Sequence, residues 1–119
     1  GPSIARRTSF LLDREGQAVF PAGITVVDEP HRPRGLKSKP FDGEGVATQR
    51  RSLIERGVLT TVLLNVAAAR QLGRETNGYA TRGAGGAPGT GATNVHLEPG
   101  EIGRDALIGG IARGIYVTE

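Results

Sequence analysis

The chain has 119 residues, of which 37% are hydrophobic and only 4% aromatic, so we expect a single small domain with a lean aliphatic core. It has no cysteine, which excludes a disulfide framework and thiolate chemistry, and no apolar run of about 20 residues that could span a bilayer. The net charge of +3 is mild and no aromatic pattern accompanies the basic residues, so we expect a cytoplasmic protein that binds neither membranes nor nucleic acid.

The first part of the chain predicts three strands and then an irregular connection. Residues 8–12 and 17–20 surround a turn that ends at Gly16, which is typical of a hairpin. Residues 24–27 are a β-branched run between two prolines and predict a third strand. Residues 28–40 contain three prolines, which disfavour helix and favour an extended, irregular backbone.

The strongest structural signal lies in the middle of the chain. Residues 49–64 predict a second hairpin, because Thr and Val favour strands and Gly57 can supply the positive φ of a three-residue loop. Asn65 is a favourable N-cap for a short helix over residues 66–72. Gly73 follows at the position where helices commonly end.

The last part of the chain is rich in glycine. Residues 75–92 predict a long loop that is either functional or mobile, and it lacks the Gly-x-x-x-x-Gly-Lys-Ser/Thr pattern that binds phosphate. Residues 93–97 predict a strand, residues 101–113 an amphipathic helix and residues 115–118 a final strand. Together these patterns predict an α+β fold that is β-dominated, with short meandering antiparallel strands, hairpins and two short helices.

An ordered set of motifs runs through nearly the whole chain. The motifs are residues 35–51, 53–59, 63–65, 69–73, 76–80, 93–94, 97–100 and 114–118. The set is similar to the signature of the TldD/PmbA family, and one motif resembles the PmbA (TldE) branch more than the TldD branch: Ser38-x-Pro40-Phe41-Asp42-x-Glu44-Gly45. The resemblance implies that residues 1–119 are a single segment of the C-terminal region. The absence of an initiating Met also predicts a fragment of a longer protein.

The resemblance implies a role in peptide proteolysis. In that family, TldD and TldE subunits assemble into a protease that cleaves flexible or unfolded peptides, and a His-Glu-x-x-x-His helix of the TldD subunit holds zinc. That helix lies upstream of the matched motifs, and the two histidines of this chain, His31 and His96, are isolated. We therefore expect a noncatalytic segment without a cofactor of its own. Its expected partner is a zinc-containing TldD-type subunit or further copies of itself, with a peptide as substrate.

Two other functions are open alternatives. Because the family is also known as a modulator of DNA gyrase, the chain could be a protein-interaction module that acts on gyrase. An independent hydrolase would need a nucleophile and a base. Ser9, Ser38 and Ser52 have neither a nucleophile-elbow motif nor a nearby histidine, so the sequence disfavours this function.

Five residues are candidate substrate-binding positions. Asp42 and Glu44 are two residues apart and would share one face of a strand, where they could take part in acid–base chemistry or bind arginines such as Arg50. Asn77 and Gly78 could form a tight turn that offers backbone amides to an extended peptide. A purely structural role is the alternative for each of the five.

Overall fold

The computed structural model describes residues 1–118, in which three short helices and six short strands follow one another. The helices are α1 (Pro2–Ala5), α2 (Val66–Gln71) and α3 (Arg104–Gly109). The strands are β1 (Val26–Asp28), β2 (Arg51–Glu55), β3 (Val58–Leu59), β4 (Ala80–Thr81), β5 (Gly89–Thr90) and β6 (Val95–Leu97). All strand pairs in these residues are antiparallel, which confirms the predicted fold class. The described residues contain one more short helix than the sequence predicted.

Four strands form the main sheet, in the order β3-β2-β1-β6. The β2–β3 hairpin confirms the predicted one, and Glu55 pairs with Val58 across its end. Its loop therefore has two residues, Arg56 and Gly57, instead of the predicted three. Both residues have positive φ, 48° and 84°. This is the geometry of a type I′ turn, whose twist matches the right-handed twist of the strands.

Strand β1 lies in the interior of the main sheet. It pairs with β2 on one side and with β6 on the other. Val27 and Asp28 are both fully buried, so the centre of the sheet holds one apolar and one acidic side chain. The strand predicted at residues 24–27 begins two residues later and ends one residue later than expected, and β6 confirms the strand predicted at residues 93–97.

Helix α2 packs against the hydrophobic core. Asn65 caps it as predicted, because its Oδ1 accepts a hydrogen bond from Ala68 N at 2.9 Å, and Gly73 follows the helix with a φ of 64°. The buried core cluster consists of Leu59, Val62, Leu64, Ala68 and Ala69. Partly buried apolar side chains surround it: Ile4, Ala5, Leu11, Val19, Ile54 and Leu72.

The hairpin predicted in residues 8–20 does not form. This segment runs through successive turns, and one isolated bridge joins Ala18 to Val58. Its backbone instead docks on β3, where Gly16 N donates to Leu59 O at 2.7 Å. The prediction was wrong because the second run of residues pairs with a distant hairpin and not with the run that precedes it.

The glycine-rich region contains a small hairpin of its own. Strand β4 pairs with β5, and Ala80 lies opposite Thr90. Ala80 is fully buried. The long loop predicted at residues 75–92 is therefore interrupted by a two-stranded sheet.

Residues 101–118 lie on the outside of the molecule. Helix α3 confirms the predicted helix over a shorter length and buries none of its residues. Residues 115–118 do not form the predicted strand, and they pair with no other segment of residues 1–118. Large apolar side chains stay exposed here: Ile102, Leu107, Ile108, Ile111, Ile115, Tyr116 and Val117. Among the described residues, no helix has the length and apolar character needed to cross a membrane.

Candidate functional site

Asp42 lies at the centre of the motif that resembles the PmbA branch. Its Oδ1 accepts hydrogen bonds from Glu44 N at 2.9 Å and from Val46 N at 3.0 Å, and its Oδ2 accepts one from Ala80 N at 2.9 Å. The residue is only 5% exposed. Asp42 and Glu44 were expected to share a strand face, but they lie in a turn. The turn forms because the Asp42 carboxylate accepts bonds from the amides that follow it.

Glu44 supports the start of helix α2. Its Oε2 accepts a hydrogen bond from Val66 N at 2.8 Å, next to the cap that Asn65 provides. A carboxylate at this position satisfies a free helix N–H and interacts favourably with the positive end of the helix dipole. Asn65 also donates from Nδ2 to Pro88 O at 2.7 Å, which ties the helix to the glycine-rich hairpin.

Asn77 and Gly78 join the same region from the other side. Asn77 Oδ1 accepts from Leu64 N at 2.9 Å, and its Nδ2 donates to Val62 O at 2.8 Å. Gly78 has a φ of 82°, and a Cβ there would lie 2.9 Å from Ala47 O, so only glycine fits without movement. The side chain of Asn77 thus forms hydrogen bonds with backbone groups of the segment before helix α2, which a neighbouring strand would otherwise pair with.

The structure brings four of the five candidate residues into one connected region. Asp42, Glu44, Asn77 and Gly78 join the motif turn, the start of helix α2 and strand β4. Arg50 has a different partner: its guanidinium is 3.0 Å from Glu98 Oε1 on the surface. Direct contact of any of the five with a substrate stays a prediction.

The structure contains a second polar cluster, which the sequence did not predict. Asp28 is fully buried, and its Oδ1 accepts from Thr93 N at 2.9 Å and from Thr93 Oγ1 at 2.7 Å. Its Oδ2, Arg51 Nε and the Tyr79 hydroxyl are buried and have no hydrogen-bond partner among residues 1–118. Burial and the nearby Asp28 carboxylate raise the pKa of Tyr79 above its usual value, so the phenol stays neutral. The sequence signal that could have found this cluster is Asp28, an acidic residue directly after the β-branched run of residues 24–27.

A basic loop, residues 32–37, forms one wall of an open surface depression of about 490 Å³. Residues 93–95 form the other wall. Asn94 holds the loop in place: its Oδ1 accepts from Lys37 N at 3.1 Å, and its Nδ2 donates to Glu29 O at 2.9 Å and to Ser38 Oγ at 2.8 Å. The sequence predicted an irregular connection here, but side-chain hydrogen bonds give it a defined shape.

Each of the two histidines contacts an oxygen atom. His31 Nε2 is 3.1 Å from Thr48 Oγ1, and His96 Nδ1 is 3.5 Å from the main-chain oxygen of Asn94. Nowhere in residues 1–118 do three His, Asp or Glu side chains come together in a way that could hold a metal ion. Because a zinc site needs at least three protein ligands, the described residues do not fit one.

The chain is similar to a known class of metallopeptidase domains. Residues 1–119 match the model of the PmbA/TldA metallopeptidase C-terminal domain. The chain belongs to the TldD/PmbA family, as the motifs predicted, and is a PmbA/TldE family member.

Three relatives illustrate the similarity. The metalloprotease PmbA of Escherichia coli O157:H7 is 45% identical over 80 residues, which cover 67% of this chain and 18% of that protein. The crystal structure of TldE from Thermococcus kodakarensis has a TM-score of 0.84 at 29% identity, covering 95% of this chain and 26% of that one. A candidate modulator of DNA gyrase from Bacteroides thetaiotaomicron has a TM-score of 0.83 at 30% identity, covering 99% and 24%. The chain thus spans about a quarter or less of each relative.

Proposed function

We propose that this chain is part of a PmbA/TldE-like component of a TldD–TldE zinc metalloprotease that processes peptides. In this proposal the segment is noncatalytic, and zinc resides in a partner TldD-type subunit. The observation that supports the noncatalytic role most directly is that the side chains of the motifs hold the fold together. Asp42, Glu44 and Asn77 accept backbone hydrogen bonds within the fold and do not converge as a metal or nucleophile site in the described residues.

Membership of the family supports the remaining parts of the proposal. A relative named metalloprotease PmbA supports peptide bonds as the substrate class. The absence of cysteine suits a reducing compartment, and we place the protein in the cytoplasm. The exposed apolar side chains of residues 102–117 suit contact with a second protein surface, which we assign to the TldD-type subunit, with a further copy of the chain as the alternative.

Zinc content tests where the metal resides. The full-length protein is purified alone and in complex with a TldD-type subunit, and bound zinc is measured by elemental analysis. We expect zinc in the complex and only trace zinc in the protein alone. The matched control is the variant His31→Ala/His96→Ala, which should not change zinc content in either sample. Stoichiometric zinc in the protein alone would contradict the assignment, and its loss in that variant would place the metal at His31 or His96.

A second function, modulation of DNA gyrase by protein contact, is supported by the description of the Bacteroides thetaiotaomicron relative as a candidate gyrase modulator. A supercoiling assay separates the two proposals. If the proteolytic role is correct, the full-length protein without a TldD-type subunit should leave gyrase activity unchanged. A dose-dependent change in supercoiling, in the absence of any cleavage of gyrase, would favour the interaction module.

A further inference from the structure

Asn77 and Gly78 form the only Asn–Gly pair in residues 1–119. An asparagine before a glycine is chemically labile, because the glycine nitrogen can attack the Cγ atom of the asparagine side chain and glycine has no Cβ to hinder the approach. The other two asparagines, Asn65 and Asn94, each precede a valine, whose branched Cβ hinders the same approach. Residue 77 is therefore the asparagine of this segment at which the reaction should be fastest.

The reaction replaces the side-chain amide of Asn77 by an acid. The Gly78 nitrogen gives up its proton to solvent hydroxide and forms a bond to Asn77 Cγ. The bond between Cγ and Nδ2 breaks, Nδ2 takes a proton from water, and ammonia leaves a five-membered succinimide ring. One water molecule then opens the ring at either carbonyl carbon, which gives aspartate or isoaspartate.

Hydrogen bonds hold the Asn77 carboxamide away from this reaction. Its Oδ1 accepts from Leu64 N at 2.9 Å, and its Nδ2 donates to Val62 O at 2.8 Å and to Thr61 Oγ1 at 3.2 Å. We call these three bonds the Asn77 clamp. Both N–H groups of the carboxamide are used in it. The ring closes only when Cγ moves to bonding distance from Gly78 N, and that movement takes Oδ1 and Nδ2 away from their partners.

The backbone that carries the attacking nitrogen is also fixed. Gly78 packs so closely on Ala47 that a Cβ would lie 2.9 Å from Ala47 O. Two residues later, Ala80 N donates to Asp42 Oδ2 at 2.9 Å. The partners that hold both sides of the reaction thus lie between residues 42 and 80, so the protection needs no other part of the protein.

A second labile pair, Asp42 and Gly43, lies in the same region and could form the same ring. Its attacking nitrogen is engaged, because Gly43 N donates to Ala80 O at 2.9 Å. A carboxylate is also a poorer electrophile than a carboxamide. We therefore expect the chemistry at Asn77 and not at Asp42.

Either product at position 77 would break the clamp permanently. A carboxylate has no N–H, so Val62 O and Thr61 Oγ1 lose their donor, and a negative charge faces the carbonyl oxygen. Val62 and Leu64 are only 8% and 1% exposed, so water replaces the lost bonds poorly. Isoaspartate also adds the former side-chain carbon to the backbone, next to the close contact of Gly78.

We propose that Asn77 is a site of spontaneous deamidation that is controlled by opening of the clamp, and that the reaction makes this local opening irreversible. The segment before helix α2 is held by the clamp, so its reversible opening becomes permanent once the amide is lost. The proposal does not depend on the proteolytic role proposed above.

The first test compares the folded and the urea-unfolded full-length protein at mildly alkaline pH. Deamidation at each asparagine is followed by peptide mapping with mass spectrometry, and Asn65 and Asn94 are the internal controls. We expect Asn77 to react fastest in urea. Without urea it should react at least about tenfold more slowly, because one net hydrogen bond corresponds to roughly a fivefold factor in an equilibrium constant and the clamp has three. Equal rates at Asn77 in the two states, or a slower reaction than at the controls in urea, would overturn the proposal.

A pair of threonine variants separates opening of the clamp from opening of the whole fold. Thr61→Val removes one acceptor of Asn77 Nδ2 and should raise the folded-state rate several-fold, with no change in urea. Thr25→Val is the matched control, because Thr25 Oγ1 also accepts one N–H, from Arg56, but lies outside the clamp. It should leave both rates unchanged. An unchanged rate in Thr61→Val, or an equal rise in Thr25→Val, would show that the clamp does not control the reaction.

The variant Asn77→Asp tests the consequence. It carries the aspartate product from the start, and hydrogen exchange measured by mass spectrometry reports on the amides of residues 62–66. We expect these amides to exchange at least about tenfold faster than in the parent protein, because two buried or partly buried acceptors have lost their donor. Failure of the variant to refold where the parent refolds would support the same consequence. Unchanged exchange would show that deamidation leaves the segment closed and would overturn this part of the proposal.

Discussion

Side chains that accept backbone hydrogen bonds join the loops of this molecule. Asp42 reaches Ala80, Asn77 reaches Leu64, and Asp28 reaches Thr93 across 65 positions of sequence. A buried N–H left without a partner costs about 1–3 kcal/mol. In a chain whose buried apolar cluster holds only aliphatic residues, these contacts decide which loops lie together.

Asp42 should be the most sensitive of these positions. The substitution Asp42→Ala removes the acceptor of three backbone amides, and we expect a loss of about 3 kcal/mol in the free energy of unfolding, measured by urea denaturation. Asp42→Asn keeps one acceptor oxygen and should lose less. The matched control is Glu101→Ala, because Glu101 is exposed and accepts no hydrogen bond among the described residues, so the change should be nearly silent. Equal effects at the two positions would contradict the role of Asp42.

Tyr79 should make the protein sensitive to alkaline pH. Its pKa in the folded state is raised by burial and then by the Asp28 carboxylate, while in the unfolded chain it ionises near pH 10. Between these two values the unfolded state releases a proton that the folded state keeps. The stabilising contribution is therefore fully present below about pH 10 and is lost as pH rises, by up to about 1.4 kcal/mol per pH unit.

The variant Tyr79→Phe isolates this effect. The difference in free energy of unfolding between the parent and this variant should shift in favour of the variant above about pH 10. Residues 1–119 contain only two tyrosines, so in a Tyr116→Phe background of this segment the absorbance of tyrosinate reports on Tyr79 alone. A Tyr79 that ionises at the pH of a free phenol in the folded protein would contradict the account.

The β2–β3 hairpin is the element on which the N-terminal segment docks. Gly57 closes its turn at a φ of 84°, and a Cβ there would overlap the carbonyl oxygens of Phe20 and Pro21. Gly57→Ala should therefore lower the free energy of unfolding through both φ strain and overlap. Gly16→Ala is the matched control, because Gly16 has a φ of 81° but nothing within 4 Å of a Cβ.

Chemical denaturation of the two alanine variants separates the two contributions. We expect about 1 kcal/mol of destabilisation at Gly16, from φ strain alone. At Gly57 we expect at least about 2 kcal/mol more, because backbone atoms must move to admit the methyl group. Similar losses at the two positions would show that the N-terminal segment does not pack against the turn.

Elements whose cause is local were predictable from the sequence. The β2–β3 hairpin and helix α2 follow from Gly57, Asn65 and Gly73, each of which acts within a few residues of itself. The wrong predictions depended on distant partners. Residues 17–20 alternate like a strand but dock on β3. Residues 115–118 have strand-forming side chains but pair with no other segment of the described chain.

The same distinction applies to the candidate site. The sequence singled out Asp42, Glu44, Asn77 and Gly78, and the structure gives these residues connecting contacts across 13 to 38 positions. The sequence could not predict those partners, because an acceptor side chain carries no information about which backbone N–H will donate to it. The cluster around Asp28 and Tyr79 was missed for this reason, since it needs three separate segments to come together.

At the scale of the whole molecule, surfaces that suit contact with other chains lie at two places. One is the side of β6 that pairs with no other segment of residues 1–118, with the basic loop beside it. The other is the exposed apolar surface of the C-terminal part, where Ile108, Ile111, Ile115 and Tyr116 gather around a small depression. Exposed apolar patches of this kind commonly mark contact with another protein surface.

We propose that this chain belongs to a noncatalytic component that acts with a TldD-type subunit. The most direct test is the cleavage rate of an unfolded peptide by the full-length protein alone, by the TldD-type subunit alone, and by the two mixed. We predict chelator-sensitive cleavage only in the mixture. Chelator-sensitive cleavage by the full-length protein alone would contradict the claim.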